Sequence, residues 1–235
     1  MNKQKALVLP FSQIDKEDIP LVGGKGANLG EMAGAGFPIP AGFCVTAEAY
    51  RKLISENDLE PKIRILLADL NVENTKKLNE AARKIQNLML RADIPDDIIT
   101  QVFSLYRHLK PGSKSPLVAV RSSATAEDLP DASFAGQQET YLNIKGEANV
   151  IQAVRLAWAS LFGARAIYYR ATKGFDHFRV ALAIPIQLMV QSEVSGVMFS
   201  VNPVTNDKQQ IVIEAAWGLG DYIVQGVVTP DHYVV

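Results

Sequence analysis

A lysine set among glycines is the first feature of the sequence that suits chemistry. Residues 22–28 read Val-Gly-Gly-Lys-Gly-Ala-Asn, with Lys25 at the centre. Glycines let backbone amides approach an anion, a helix start adds free N–H groups, and a lysine adds a point charge for phosphate. The segment is neither a Walker A loop nor a dinucleotide fingerprint, because no Ser or Thr follows the lysine and the glycine spacing differs. A phosphate site and a glycine turn with a solvated lysine both fit this pattern.

A second candidate follows a short apolar strand. Residues 117–121 form an apolar run that ends in Arg121, and a long stretch of small, hydroxylated and acidic residues follows to residue 137. Arg121 suits a bidentate contact with phosphate, and the backbone near Gly136 suits a flexible cover. The hydroxyl residues that suit this cover are Ser122, Ser123 and Thr125. The alternative is a long surface connection, although its length without apolar anchors favours function.

The other polar candidates are weaker. Glu214 ends an Ile-Val-Ile strand, where a buried carboxylate needs either a ligand or an ion pair with a nearby basic residue. The three histidines show no metal-ligand spacing, so we predict no metal site from them. Cys44 lies in an apolar setting and is typical of a small buried hydrophobic residue.

Hydrophobic periodicity predicts the elements that position these residues. Helices are expected over residues 24–36 and 60–70, after an N-cap at Thr46, from Asn74 or Thr75, and from Pro95. Beyond the breakers at residues 110–116, strands are expected at 117–121, 139–144, 179–191, 196–201 and 210–215, with one long helix near 148–170. Pro185 predicts a bulge or an edge strand, and residues 202–207 predict a hairpin turn. The fold class is α+β, with a mainly helical part (1–115) and a β-rich part (116–235).

Composition limits the function classes. The 235 residues carry 24 Lys and Arg against 25 Asp and Glu, and 48% are hydrophobic. This suits a packed core and argues against non-specific nucleic-acid binding. No apolar run approaches the ~20 residues of a membrane span, no signal peptide is evident, and one cysteine excludes an internal disulfide. We therefore expect a cytoplasmic chain without nucleic-acid or membrane partners.

Three segments, in this order, together resemble a known enzyme family. Residues 21–30 with 38–43, residues 121–137, and residues 214–220 resemble the ATP-binding N-terminal region of phosphoenolpyruvate synthases, the pyruvate, water dikinases. The wider family includes pyruvate phosphate dikinases and rifampin phosphotransferases, and the latter share the loop after the arginine closely. The resemblance covers residues 21–235, whose final Tyr-Val-Val reads as part of a strand.

The resemblance implies an ATP-grasp domain that comprises both parts of the chain, is truncated at its C-terminal end, and holds ATP between two lobes. Lys25 and Arg121 would bind the ATP phosphates and assist catalysis, and Gln187 would meet the adenine. The residues implied to line the glycine-rich cover and its following strand are Gly136, Thr140 and Tyr141.

The resemblance also implies a reaction. ATP, with Mg²⁺, would phosphorylate a histidine on a swivelling domain, which then phosphorylates pyruvate on a further domain. These domains and the Mg²⁺ ligands are expected beyond Val235, so we expect a fragment that is inactive alone and binds ATP at most weakly. The alternatives are the ATP-binding domain of a rifampin phosphotransferase and a non-catalytic nucleotide-binding module.

Overall fold

The computed structural model describes residues 3–113, 115–125 and 139–235. The chain divides into two compact units, Met1–Met189 and Val190–Val235. Both units contain helices and strands, which confirms the α+β class. The breakers around residues 110–116 lie inside the first unit, where the chain changes from helices to strands.

The first half of the chain is mainly helical, and its helix starts follow local capping signals. Its helices are α1 (Ile19–Gly34), α2 (Ala47–Glu56), α3 (Leu59–Leu67), α4 (Thr75–Arg91) and α5 (Asp96–His108). Thr46 accepts a hydrogen bond from the amide of Ala49 at 3.4 Å, and Asn74 accepts one from the amide of Lys77 at 3.0 Å. Both predicted N-caps are therefore confirmed, because each side chain satisfies an amide of the first helical turn. Short 3₁₀ turns cover Lys3–Lys5, Phe11–Gln13 and Lys16–Asp18.

The single long helix predicted near residues 148–170 is wrong. The chain forms α6 (Glu147–Ser160) and α7 (Ala164–Thr172), with a break at residues 161–163. Arg170 donates from Nη2 to the carbonyl of Leu161 at 2.6 Å, which holds the carbonyl at the end of α6. Together the 26 residues Glu147–Thr172 have the length and composition of a membrane span. Their buried side chains, such as Trp158 and Ile167, lie in the hydrophobic core of the first unit.

An antiparallel sheet is the centre of the first unit. Its strands are β1 (Val8–Pro10), β2 (Gly42–Val45), β3 (Leu117–Arg121), β4 (Ser123–Ala124), β5 (Thr140–Lys145) and β6 (Leu182–Leu188). Their order is β1-β2-β6-β3-β5, and β4 also pairs with β6. Pro185 therefore lies on a central strand, and the predicted edge position is wrong. Its missing N–H is tolerated because the partner of β6 changes from β3 to β4 at this point in the register.

The two faces of this sheet meet different neighbours. Val120 and Ile186 belong to the main core, which includes buried residues of α2, α4, α5, α6 and α7. Cys44 and Ala183 belong to a smaller core with Val22 of α1. Because side chains alternate between faces along a strand, the register fixes which residues share the face that packs on α1.

The second unit contains a three-stranded antiparallel sheet. Its strands are β7 (Val194–Phe199), β8 (Val212–Trp217) and β9 (Asp231–Val234), in that order, with a short helix α8 (Asp221–Val224). The predicted hairpin between β7 and β8 is confirmed. Asn202 starts its turn by accepting hydrogen bonds from the amides of Val204 and Thr205.

Candidate functional site

A kink at Gly23 divides α1 just before Lys25. Gly23 has φ 68° and ψ 171°, a conformation that is essentially restricted to glycine. A new helical segment therefore starts at Gly24, and the first amides of such a segment lack acceptors within the helix. Lys25 is exposed in this first turn. The structure thus places the cation in the first turn of a helical segment, as the glycine pattern indicated, although inside a kinked helix and not in a loop.

The kink lies against the segment that follows Arg121. A β-carbon added at Gly23 would lie 2.3 Å from Oγ of Ser123, 2.8 Å from the carbonyl oxygen of Ser123 and 2.9 Å from that of Ala124. Only a residue without a side chain permits this approach. The glycine-rich segment 22–28 and the segment after Arg121 therefore meet at this contact. The sequence analysis did not single out Gly23. The pair of glycines before Lys25 was the only sequence feature that could have indicated the kink.

The strand register brings Arg121, Thr140 and Gln187 onto one face of the sheet. Arg121 is half-buried at the end of β3 and lies opposite Thr140 of β5. Ala119, two residues earlier on the same face as Arg121, lies opposite Gln187 of β6. Ser123 lies opposite Ala183, which belongs to the small core under α1. Arg121, Thr140 and Gln187 therefore lie on the α1 side of the sheet.

Tyr141 lies on the other face. It is opposite Val120 and packs against the main core. Burial raises the pKa of Tyr141 to about 12, and the nearby charge of Glu139 adds to the shift. The side chain is therefore separated from Arg121 and Thr140 by the sheet. Gly136, also implied by the resemblance, lies outside the described residues.

Gln187 is 8% exposed and lies in the middle of the sheet. Its Nε2 donates to the carbonyl of Pro40 at 3.3 Å, and its neighbour on β2 is Gly42. A β-carbon at Gly42 would lie 2.2 Å from the ring of Phe11, so the glycine admits that ring. This places Gln187 beside the segment of residues 38–43 that contributes to the family resemblance.

The hydroxyl residues after Arg121 mainly hold the backbone. Ser122 donates from Oγ to the carbonyl of Glu139 at 3.3 Å, and Thr125 donates from Oγ1 to the carbonyl of Ala181 at 3.2 Å. Thr125 also accepts from the amide of Ala181 at 3.3 Å. Two of the three hydroxyls proposed as a flexible cover are thus bonded to residues that directly precede β5 and β6.

The weaker candidates have structural partners. Glu214 is partly exposed, and its Oε1 lies 3.4 Å from Nδ1 of His232 on β9, which supports the ion-pair interpretation. Cys44 is buried, which raises the pKa of its thiol. Within residues 3–113, 115–125 and 139–235, no group of three or more His, Cys, Asp or Glu could hold a metal ion.

Comparison with known proteins defines the class. The family described as "Pyruvate phosphate dikinase, AMP/ATP-binding domain" matches residues 19–235. The match includes the kink, the end of β3 and the central strand that carries Gln187. The chain belongs to this family.

Several relatives of this chain are named as phosphoenolpyruvate synthases. A probable phosphoenolpyruvate synthase of Archaeoglobus fulgidus is 53% identical over 228 residues, which cover 97% of this chain and 30% of that protein. One from Methanocaldococcus jannaschii is 51% identical over 227 residues, covering 96% of this chain and 19% of that protein. The phosphoenolpyruvate synthase of Pyrococcus furiosus is 46% identical, covering 96% of this chain and 32% of that protein. The chain therefore spans about a third or less of these relatives.

Proposed function

We propose that this chain is the ATP-binding part of a phosphoenolpyruvate synthase-like dikinase. The overall reaction converts ATP, pyruvate and water into phosphoenolpyruvate, AMP and phosphate. The family match and relatives with this name support the assignment. Neither the family match nor these relatives favour antibiotic phosphorylation or a non-catalytic module.

The contact between Gly23 and Ser123 is the observation that carries the proposal. It joins the first turn of the helix after the kink to the segment after Arg121. The first turn that carries Lys25 is thereby joined to the strand segment that carries Arg121. Amides at a helix start, with lysine and arginine, form a favourable environment for phosphate oxygens.

Lys25 and Arg121 act by positioning and charge. Phosphoryl transfer requires alignment of the attacking and leaving oxygens and compensation of charge on the transferred group. Lys25 supplies a point charge, and Arg121, half-buried at its strand end, supplies a planar fork of donors. Both cations stabilise negative charge that develops on phosphate oxygens in the transition state.

The remaining predicted residues extend from this phosphate end. Thr140 lies beside Arg121 on the same face and offers a hydroxyl to the nucleotide. Gln187 offers an amide, able to donate and accept, to the adenine. Tyr141 packs against the main core on the opposite face of the sheet. We assign Gly136 to the glycine-rich cover because of the family resemblance alone.

The finer assignments rest on the resemblance. We propose an ATP-grasp domain that works with a swivelling phosphohistidine domain and a pyruvate-binding domain, for which relatives several times longer leave room. Mg²⁺ would neutralise phosphate charge in this chemistry. The described residues form no ligand set for it, so we assign it no residue of this chain.

The test is ATP binding by the purified chain and by variants at the two cations. Lys25→Ala and Arg121→Ala should each weaken ATP binding at least about tenfold, as expected for loss of a charge-assisted contact. Lys173→Ala and Arg165→Ala, which remove exposed cations of the α7 region, are the matched controls. Equilibrium titration to millimolar ATP also detects weak binding. Unchanged ATP affinity in both site variants would refute the assignment.

A further inference from the structure

Ser123 differs from the hydroxyl residues around it. Its side chain is fully buried, at 0% exposure. Its Oγ has no hydrogen-bond partner among the described residues. Ser122 and Thr125 by contrast donate to the backbone carbonyls that directly precede β5 and β6. A buried hydroxyl without a partner is unfavourable and uncommon in folded proteins. Within the described residues, this oxygen therefore makes no hydrogen bond that would offset its burial.

The position of this hydroxyl indicates what it serves. Its Oγ is the atom nearest to a β-carbon built on Gly23, at 2.3 Å. Gly23 and Gly24 are themselves buried, so the hydroxyl lies beneath the peptide groups at the kink. In the proposed function, the amides that follow these peptide groups contact the phosphate. Ser123 also lies two residues after Arg121, on the same face of the sheet.

We propose that Ser123 is a positioning residue for the polyphosphate of a bound nucleotide. When phosphate oxygens bind the amides after the kink, the Ser123 hydroxyl forms a hydrogen bond with the peptide group between Gly23 and Gly24. This bond fixes α1 on β4 and sets the distance between Lys25 and Arg121. The role rests on the proposed function, because it requires a phosphate ligand at this end of the first unit.

The test compares ATP with adenosine as probes of the purified chain. Ser123→Ala should keep or raise the melting temperature of the ligand-free chain, because it removes an unsatisfied buried hydroxyl. It should weaken ATP binding about tenfold, the size of one good hydrogen bond, and leave adenosine binding unchanged. Ser123→Cys keeps a weak donor of similar size and should give an intermediate ATP affinity.

The neighbouring Ser122→Ala is the matched control. Its hydroxyl already has a carbonyl partner, so the substitution should lower the melting temperature and preserve the ratio of ATP to adenosine affinity. Equal ATP affinity in wild type and Ser123→Ala would overturn the role of Ser123 alone. Equal losses for ATP and adenosine would overturn it too, because they would mark a purely structural residue. Absence of ATP binding by the wild type would instead overturn the proposed function.

Discussion

Gly23 packs against Ser123 so closely that a β-carbon at residue 23 would lie 2.3 Å from the serine Oγ. The two residues are distant in sequence and belong to different elements, α1 and β4. Their contact brings together the two segments whose composition suits phosphate. The phosphate end of the proposed nucleotide site therefore depends on a glycine whose role is steric.

Replacing Gly23 with Ala should destabilise the chain by about 3 kcal/mol or more. The backbone conformation is strained for any residue with a side chain, and two carbonyl oxygens would also clash with the new carbon. Gly34→Ala is the control, because nothing lies within 4 Å of a β-carbon there. It should be neutral or stabilise α1 by about 0.5–1 kcal/mol. Urea unfolding measures both, and equal stabilities of the two variants would contradict the packing at the kink.

Gln187→Ala tests the adenine end of the site. We expect ATP affinity to fall about fivefold and the preference for ATP over GTP to shrink, because a base-reading amide is lost. Binding of inorganic tripolyphosphate should not change. Competition titrations measure all three ligands, with Gln152→Ala on the exposed side of α6 as control. A Gln187 variant with the wild-type preference for ATP would show that the amide serves only its bond to Pro40.

Tyr106→Phe tests how the sheet is held to the helices. The Tyr106 hydroxyl donates to the carbonyl of Pro116 at 2.6 Å and accepts from the amide of Gly146 at 2.7 Å. Its loss leaves two backbone groups without this partner, which should reduce the free energy of unfolding by about 2 kcal/mol. Tyr168→Phe removes an exposed hydroxyl and should change it by less than about 0.5 kcal/mol. Similar unfolding midpoints for the two variants would count against this link.

His177 should make stability depend on pH below neutrality. Burial, together with the charge of Arg170, lowers the pKa of His177 to about 4, from 6.5 for an ordinary histidine. The unfolded chain therefore binds more protons between these values, and stability falls as pH drops from about 6.5 towards 4. Because the imidazole is partly exposed, we expect only about 1 kcal/mol of this loss between pH 7 and pH 5.

The control for this dependence is His177→Asn. Its amide oxygen can accept from Arg170 Nε, as Nδ1 of His177 does at 3.0 Å, but it does not titrate. Urea unfolding at pH 7 and pH 5 should show a smaller loss in the variant. The same loss in both proteins would place the pH dependence elsewhere.

The features that sequence alone predicted are local ones. Thr46 and Asn74 were recognisable as N-caps because a helix start depends on a few adjacent residues. The break between α6 and α7 was missed because the apolar stripe continues through it, and only Gly163 signalled the interruption. Pro185 was misplaced because its tolerance depends on where the partner of β6 changes from β3 to β4.

The site was predictable as residue types and not as an arrangement. Lys25 and Arg121 stood out because cations among glycines or at strand ends suit phosphate. The contact of Gly23 with Ser123 depends on tertiary packing between distant segments, which no local pattern encodes. The opposite faces of Thr140 and Tyr141 likewise required the strand register.

The most direct test of the central claim is a ¹⁵N NMR titration of the chain with ATP and with adenosine. If the kink and the end of β3 form the phosphate site, ATP should shift the amide signals of Gly24, Lys25 and Gly26 and of residues 121–125. Adenosine should leave these signals in place. ATP-induced shifts confined to other parts of the chain, or identical shifts with adenosine, would contradict the account.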